Sequence, residues 1–139
     1  MRARHPLPHQ SEQGSAAVEF ALVGPLFIFL IIATVVYGSW MWMAQGVQSL
    51  AAEGARAALA GINAEERADL ARTAVTGSVD GSTILEPESL HVSVSDDGSA
   101  IRVIVTYDAT HHPLLALAGL VPPPPQTIRR EAVVRTGGY

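Results

Sequence analysis

A chain of 139 residues with a net charge of −4 favours a single domain and argues against nucleic acid as its main partner. Only 16% of the residues are charged, which is low for a soluble domain, and all nine basic residues are arginines. The lack of cysteine is compatible with an exported domain that has no disulfides.

The chain begins with a polar segment and continues into a long apolar one. Residues 1–14 are predicted to form a short disordered leader. Residues 20–52 carry no charge, and their strongly apolar part, residues 20–44, would extend about 37 Å as a helix, more than the hydrocarbon core of about 30 Å. A cleavable secretory signal would have a shorter apolar core followed by small residues. We therefore predict a retained transmembrane helix that spans the membrane at about residues 20–44.

The charges at the two ends of this helix predict its orientation. Arg2 and Arg4 precede the helix, whereas Glu53 and Arg56 follow it and cancel. Because positive charge is retained on the cytoplasmic side, we expect a cytoplasmic N-terminus and an extracytoplasmic C-terminal domain. An aromatic belt is expected at the far end of the span, formed by Tyr37, Trp40 and Trp42.

The helix is predicted to continue from Ser15 to about Gly61, with an amphipathic second half. Small residues on one face of this half would allow another helix, or the chain's own sheet, to approach closely, and we favour the sheet. These residues are Gly46, Ala51, Gly54, Ala55, Ala58 and Gly61. Glu53 and Arg56 have the spacing of an exposed ion pair.

A second helix is predicted after a short break. Asn63 is its expected N-cap, with the Glu66 side chain reaching back to the start of the helix. The helix is expected to reach about Thr76 and to stop at Gly77.

The remaining residues change to the period of β-strands. Apolar residues alternate over residues 90–94 and again over 101–107, and Asp96, Asp97 and Gly98 between them form a hairpin turn signal. Three further elements are predicted: a short helix at residues 113–118, an extended connector at 122–125 and a strand at 128–135. Because so small a sheet buries little core alone, the long helix is expected to cover it. The predicted fold class is α+β, with a long helix, a short helix and a three-stranded antiparallel sheet.

The junction between leader and helix carries the most specific motif. Residues 14–20, Gly-Ser-Ala-Ala-Val-Glu-Phe, resemble a prepilin peptidase site, in which cleavage follows the glycine and glutamate is the fifth residue of the mature chain. Residues 14–26 and 51–58 together resemble the TadE-like minor pilins, or pseudopilins, of tight-adherence (Tad/Flp) pilus systems. The resemblance covers roughly residues 14–60 and implies a pilin-like fold and cleavage between Gly14 and Ser15 by a membrane aspartic peptidase.

Glu19 would lie one helical turn from the new amine at Ser15, with Phe20 next to it. A carboxylate there gains about 0.3–1 kcal/mol from the helix dipole. An unpaired acid at the centre of a membrane helix instead costs about 2.5–3.5 kcal/mol. The resemblance implies that the amine of a neighbouring subunit pairs with Glu19 in a packed filament. Taken alone, Glu19 could simply be an interfacial anchor, but its distance from Gly14 favours the assembly role.

Pro25 lies inside the predicted helix. It removes the hydrogen bond to the Ala21 carbonyl, so a kink is expected there. This kink would be either a flexible point that eases extraction from the bilayer or a tolerated irregularity. We leave both interpretations open.

No arrangement of residues indicates an enzyme. His111 and His112 would point to opposite faces of a strand and lack a third ligand, so no metal and no other cofactor is expected. The presence of Asp96 and Asp97 is better explained by the hairpin turn than by calcium binding. The sequence contains no nucleophile elbow and no phosphate-binding loop.

These features predict a pseudopilin of the inner membrane that is processed after Gly14 and acts in pilus biogenesis or secretion, in the filament or at its base. Residues 1–14 would be the removed leader, 15–61 the long helix and 62–139 the extracytoplasmic domain. Expected partners are the prepilin peptidase, other pilins, the inner-membrane assembly platform and the lipid bilayer. Two alternatives are a single-pass membrane protein whose outer domain binds a ligand, and a minor pseudopilin of a type II secretion or type IV pilus machine.

Overall fold

The computed structural model describes residues 11–80 and 84–136, with side chains described at residues 14–79 and 84–136. Two α-helices, α1 (Ser11–Ala58) and α2 (Ala64–Asp80), precede a short 3-10 helix, η1 (Pro87–Ser89). Strands β1 (Leu90–Asp96) and β2 (Ala100–Asp108) are followed by a second 3-10 helix, η2 (Pro113–Leu120), and by strand β3 (Thr127–Arg135). The sheet has the order β1-β2-β3 with both pairs antiparallel. The predicted α+β class and its elements are confirmed.

Helix α1 begins four residues before the predicted start at Ser15 and continues through Pro25. Of the predicted disordered leader at residues 1–14, residues 1–10 lie outside the described residues, whereas residues 11–14 belong to α1, so the prediction of disorder is wrong there. The helix ends at Ala58, where backbone hydrogen bonds to carbonyls three residues earlier tighten the chain as far as Gly61. A Cβ at Gly61 would lie 2.8 Å from the backbone nitrogen of Arg67. Only glycine therefore fits this close approach between the two helices' ends.

Helix α2 begins as predicted and ends later than predicted. The Asn63 side chain accepts a hydrogen bond from the Glu66 N–H at 2.9 Å, and the Glu66 carboxylate accepts one from the Ile62 N–H at 2.9 Å. The expected end at Gly77 is wrong, because the helix continues to Asp80. Val79 is buried in the core, so packing of this last turn outweighs the low helix propensity of the glycine.

The second half of α1 covers one face of the sheet, as expected. The core joins this half to α2 and to the inward residues of β2, which are Ile101, Val103, Val105 and Tyr107. Gly54 lies at the closest crossing, where a Cβ would come within 2.9 Å of Val75 Cγ2 and 3.2 Å of Val103 Cγ1. The absence of a side chain at Gly54 therefore lets α1, α2 and β2 meet.

Replacement of Gly54 by valine is expected to destabilise the fold by about 1–3 kcal/mol, because the added atoms overlap Val75 and Val103. Thermal unfolding of the full chain in detergent, followed by circular dichroism, measures the change. Gly77→Val is the matched control: Gly77 is also helical, but nothing lies within 4 Å of its Cβ position, so an effect within about 0.5 kcal/mol is expected. Equal effects of the two substitutions would contradict the close crossing.

The predicted hairpin between β1 and β2 is confirmed, and aspartates hold its turn. Gly98 has a φ of +84°, which favours glycine. The Asp97 carboxylate accepts hydrogen bonds from the N–H groups of Ser99 and Ala100 and from the Ser99 hydroxyl. These bonds, led by that from the Ser99 hydroxyl, lower the pKa of Asp97.

Arg67 connects this hairpin to the turn between the helices. Its Nη1 lies 2.7 Å from Asp96 Oδ2, and its Nε donates to the Gly61 carbonyl at 3.0 Å. The bond from Arg67 is the largest cause of a lowered pKa at Asp96.

The predicted ion pair between Glu53 and Arg56 does not form: both side chains are exposed, and the ion pairs of the described residues do not include them. An exposed pair gains too little to hold two long side chains in one geometry.

Acid is expected to destabilise the outer domain through these turn carboxylates. Because the folded pKa values of Asp96 and Asp97 lie below their ordinary values, their stabilisation is present above about pH 4 and is lost as pH falls through the folded values. Asp97→Asn keeps an acceptor in the turn but removes the titration, so it should flatten the acid dependence of the unfolding temperature. Asp69→Asn, at a side chain 71% exposed, is the control. If the unfolding temperature of Asp97→Asn depends on pH as it does in the unchanged protein, this explanation is wrong.

Candidate processing and assembly site

The residues of the predicted cleavage motif lie together on the first turns of α1. Gly14, Ser15, Glu19 and Phe20 are all exposed, and the side chain of Phe20 is 77% exposed. The Ser15 hydroxyl donates to Glu19 Oε1 at 3.4 Å, which places the two residues on one face, one turn apart. The carboxylate is therefore close to the atom that would become the new N-terminus.

The bond between Gly14 and Ser15 is helical in the uncut chain, since α1 begins at Ser11. A protease that binds an extended segment would have to unwind this first turn. Nothing lies within 4 Å of a Cβ position at Gly14, so packing does not explain the glycine. Glycine in a helix is less stable than alanine by about 0.5–1 kcal/mol, which lowers the cost of unwinding here.

Beyond Glu19, α1 presents an apolar surface on all sides. Among the described residues, α1 is the one helix long and apolar enough to cross a membrane. Over residues 20–35 the large apolar side chains are mostly exposed. Thr34 has the only polar side chain of this segment, and its hydroxyl donates to the Leu30 carbonyl at 2.8 Å. The segment therefore leaves no side-chain hydrogen-bonding group unsatisfied, as an apolar environment requires.

The globular part of the molecule overlaps the predicted span of residues 20–44. Val36 is fully buried, and Met43 and Ala44 belong to the core. The freely exposed apolar part is therefore residues 20–35, and these 16 residues extend about 24 Å.

Two residues of the predicted aromatic belt bind the proline run at residues 122–125. The Tyr37 hydroxyl donates to the Pro122 carbonyl at 2.9 Å, and Trp40 Nε1 donates to the Pro125 carbonyl at 2.8 Å. Trp42 is 63% exposed. This docking was not predicted, although one signal was present in the sequence: a proline run has carbonyls to be paired, and the apolar helix carries two aromatic side chains with polar ends. The run itself, which was predicted to be an extended connector, belongs to no helix or strand.

The small residues predicted for helix packing lie within the protein's own fold. A Cβ at Gly46 would lie 3.1 Å from Leu85 Cδ1, Gly54 meets α2 and β2, and Ala58 is fully buried. At these three residues, α1 therefore packs closely against the rest of its own domain.

The two histidines considered for a metal occupy a turn before η2, not a strand. His111 is exposed, whereas His112 is 8% exposed and caps η2. Its Nδ1 accepts a hydrogen bond from the Leu114 N–H, which leaves Nε2 to donate to the Ile84 carbonyl at 2.7 Å. Within residues 11–80 and 84–136, no group of three or more potential ligands could hold a metal ion.

The arrangement defines a class of protein: an α+β domain built on the second half of one long helix, whose first half is apolar and exposed. The family model described as TadE-like protein matches residues 14–56, which confirms the resemblance seen in the sequence. The match runs along α1 from the predicted cleavage motif to Arg56 and leaves the sheet outside it. The family match suggests a protein that is associated with the membrane and with other components of a Tad pilus system. Neither the curated proteins nor the solved structures that were compared with the chain gave a match.

Proposed function

We propose that this protein is a minor pilin or pseudopilin of a tight-adherence pilus system, cut after Gly14 by a prepilin peptidase. The observation that carries the proposal is the position of Gly14, Ser15 and Glu19 on one exposed helical end, directly before the exposed apolar segment and inside the TadE-like match. The protein acts by assembly and not by catalysis.

The proposed topology places the first half of α1 in the inner membrane, with the N-terminus in the cytoplasm. The leader carries Arg2 and Arg4, which hold this end at the cytoplasmic surface. Cleavage removes both charges and creates an amine at Ser15. The helix can then leave the bilayer for a filament or for the assembly platform without carrying the leader.

Intact-mass spectrometry of the full chain, expressed in membranes with and without a prepilin peptidase, tests the proposal. The expected result is a peptidase-dependent loss of residues 1–14. A mass that stays at that of the full chain in the presence of an active peptidase would favour the alternative of an uncut single-pass protein. A second known prepilin expressed in the same cells controls for peptidase activity.

A further inference from the structure

The segment at residues 113–125, called here the interfacial segment, contains no polar or charged side chain. It comprises η2, Val121 and the proline run. A 3-10 helix has about three residues per turn, so side chains three apart align. Three leucines of η2 form such a row and are 41%, 43% and 62% exposed: Leu114, Leu117 and Leu120. We call this row the leucine ridge.

The opposite side of η2 is held against the domain. Leu115 packs against the core, and the His112 side chain links the start of η2 to the Ile84 carbonyl. The ring of His112 also makes an edge contact with Tyr107, with centroids 6.3 Å apart. The leucine ridge is therefore the outer face of an anchored element.

The interfacial segment lies level with the end of the exposed apolar part of α1. Its proline run is bound by Tyr37 and Trp40. A hydrocarbon core of about 30 Å requires about 20 helical residues. A span that starts at Phe20 would thus end near Ser39, between the two aromatic residues that hold the prolines. Residues 20–35 alone are too short to cross.

Because the proline run and the expected end of the span lie at the same position along α1, we infer that the interfacial segment is a membrane-contacting surface. The leucine ridge would lie at the boundary between headgroups and acyl chains. The inference rests on the proposal that α1 spans a membrane. Lipid is the partner because the ridge is followed directly by the proline run that is bound to α1, and because the nearest charged residue of α1 on the domain side is Glu53, well beyond Trp40. Trp40 and Tyr37 also have the amphipathic character typical of the interface.

The lack of natural cysteine allows a direct test with single spin labels on the full chain. The variants Leu117→Cys, Phe27→Cys and Thr73→Cys would be labelled and reconstituted in vesicles of phosphatidylcholine and phosphatidylglycerol. Phe27 lies in the exposed apolar part of α1, and Thr73 is exposed on α2. We expect the labels at positions 117 and 27 to collide severalfold more with oxygen than with a water-soluble nickel complex, and the label at position 73 to show the reverse.

The accessibilities of the labels at these three positions distinguish the possible results. If position 117 behaves like position 73 while position 27 stays in lipid, the span stands and the inference is overturned. If position 27 is accessible to the nickel complex, both the span and the inference fail. Protection of position 117 from both reagents, with spin–spin broadening, would mean that a second copy covers the ridge, which also overturns the inference. Leu120→Cys repeats the measurement on the ridge, and circular dichroism confirms that each variant is folded.

Discussion

The Gly14→Val variant is expected to remain at full length in the presence of a prepilin peptidase that shortens the unchanged protein. Nothing packs against Gly14, so the substitution leaves the fold of the outer domain intact. The branched side chain instead restricts the backbone before the cut and adds bulk in a site suited to glycine. Cleavage should fall to the background seen without peptidase, as measured by intact mass.

The neighbouring substitution Ala17→Val is the matched control for this variant. It adds a branched side chain to another exposed position of the same turn, after the proposed cut. We expect this variant to be processed. Complete processing of Gly14→Val would refute the assigned cleavage position, whereas loss of processing in both variants would point to a general effect on the first turn.

The Glu19→Ala variant is expected to be cleaved but to assemble poorly. In the monomer Glu19 is exposed at the start of the apolar segment, so its removal changes little. In a packed filament it would be the partner of the Ser15 amine of a neighbouring subunit. Removing one member of a buried pair costs about 3–5 kcal/mol, which is about a hundredfold or more in an equilibrium constant. Intact mass reports cleavage, and the amount of the protein in sheared filaments or in cross-linked assembly complexes reports assembly.

Glu65→Ala, at an exposed glutamate in the first turn of α2, is the control for charge alone. It should leave both cleavage and assembly unchanged. Normal assembly of Glu19→Ala would count against the pairing role while leaving the cleavage site untouched. The two variants at Gly14 and Glu19 therefore test processing and assembly separately.

Local patterns in the sequence were sufficient to predict most elements. The hairpin is predicted by the alternation of apolar residues over 90–94 and 101–107 and by the turn residues between them. Both signals are local, because the side-chain period of a strand and a glycine at positive φ depend only on residues adjacent in sequence. The Asn63 cap and its Glu66 partner are equally local. The end of α2 was mispredicted because Val79 packs in a core that includes residues from distant parts of the chain.

The predicted cleavage motif, the apolar segment and the α+β class follow from the sequence by itself, because each depends on the order and polarity of residues close together in the chain. The tertiary structure alone decided how much of α1 remains free of the domain. That boundary depends on hydrogen bonds from Tyr37 and Trp40 to prolines 85 residues away, and on the burial of Val36. A pattern of apolar residues does not distinguish a helix face covered by lipid from one covered by the protein's own sheet, since both require the same side chains.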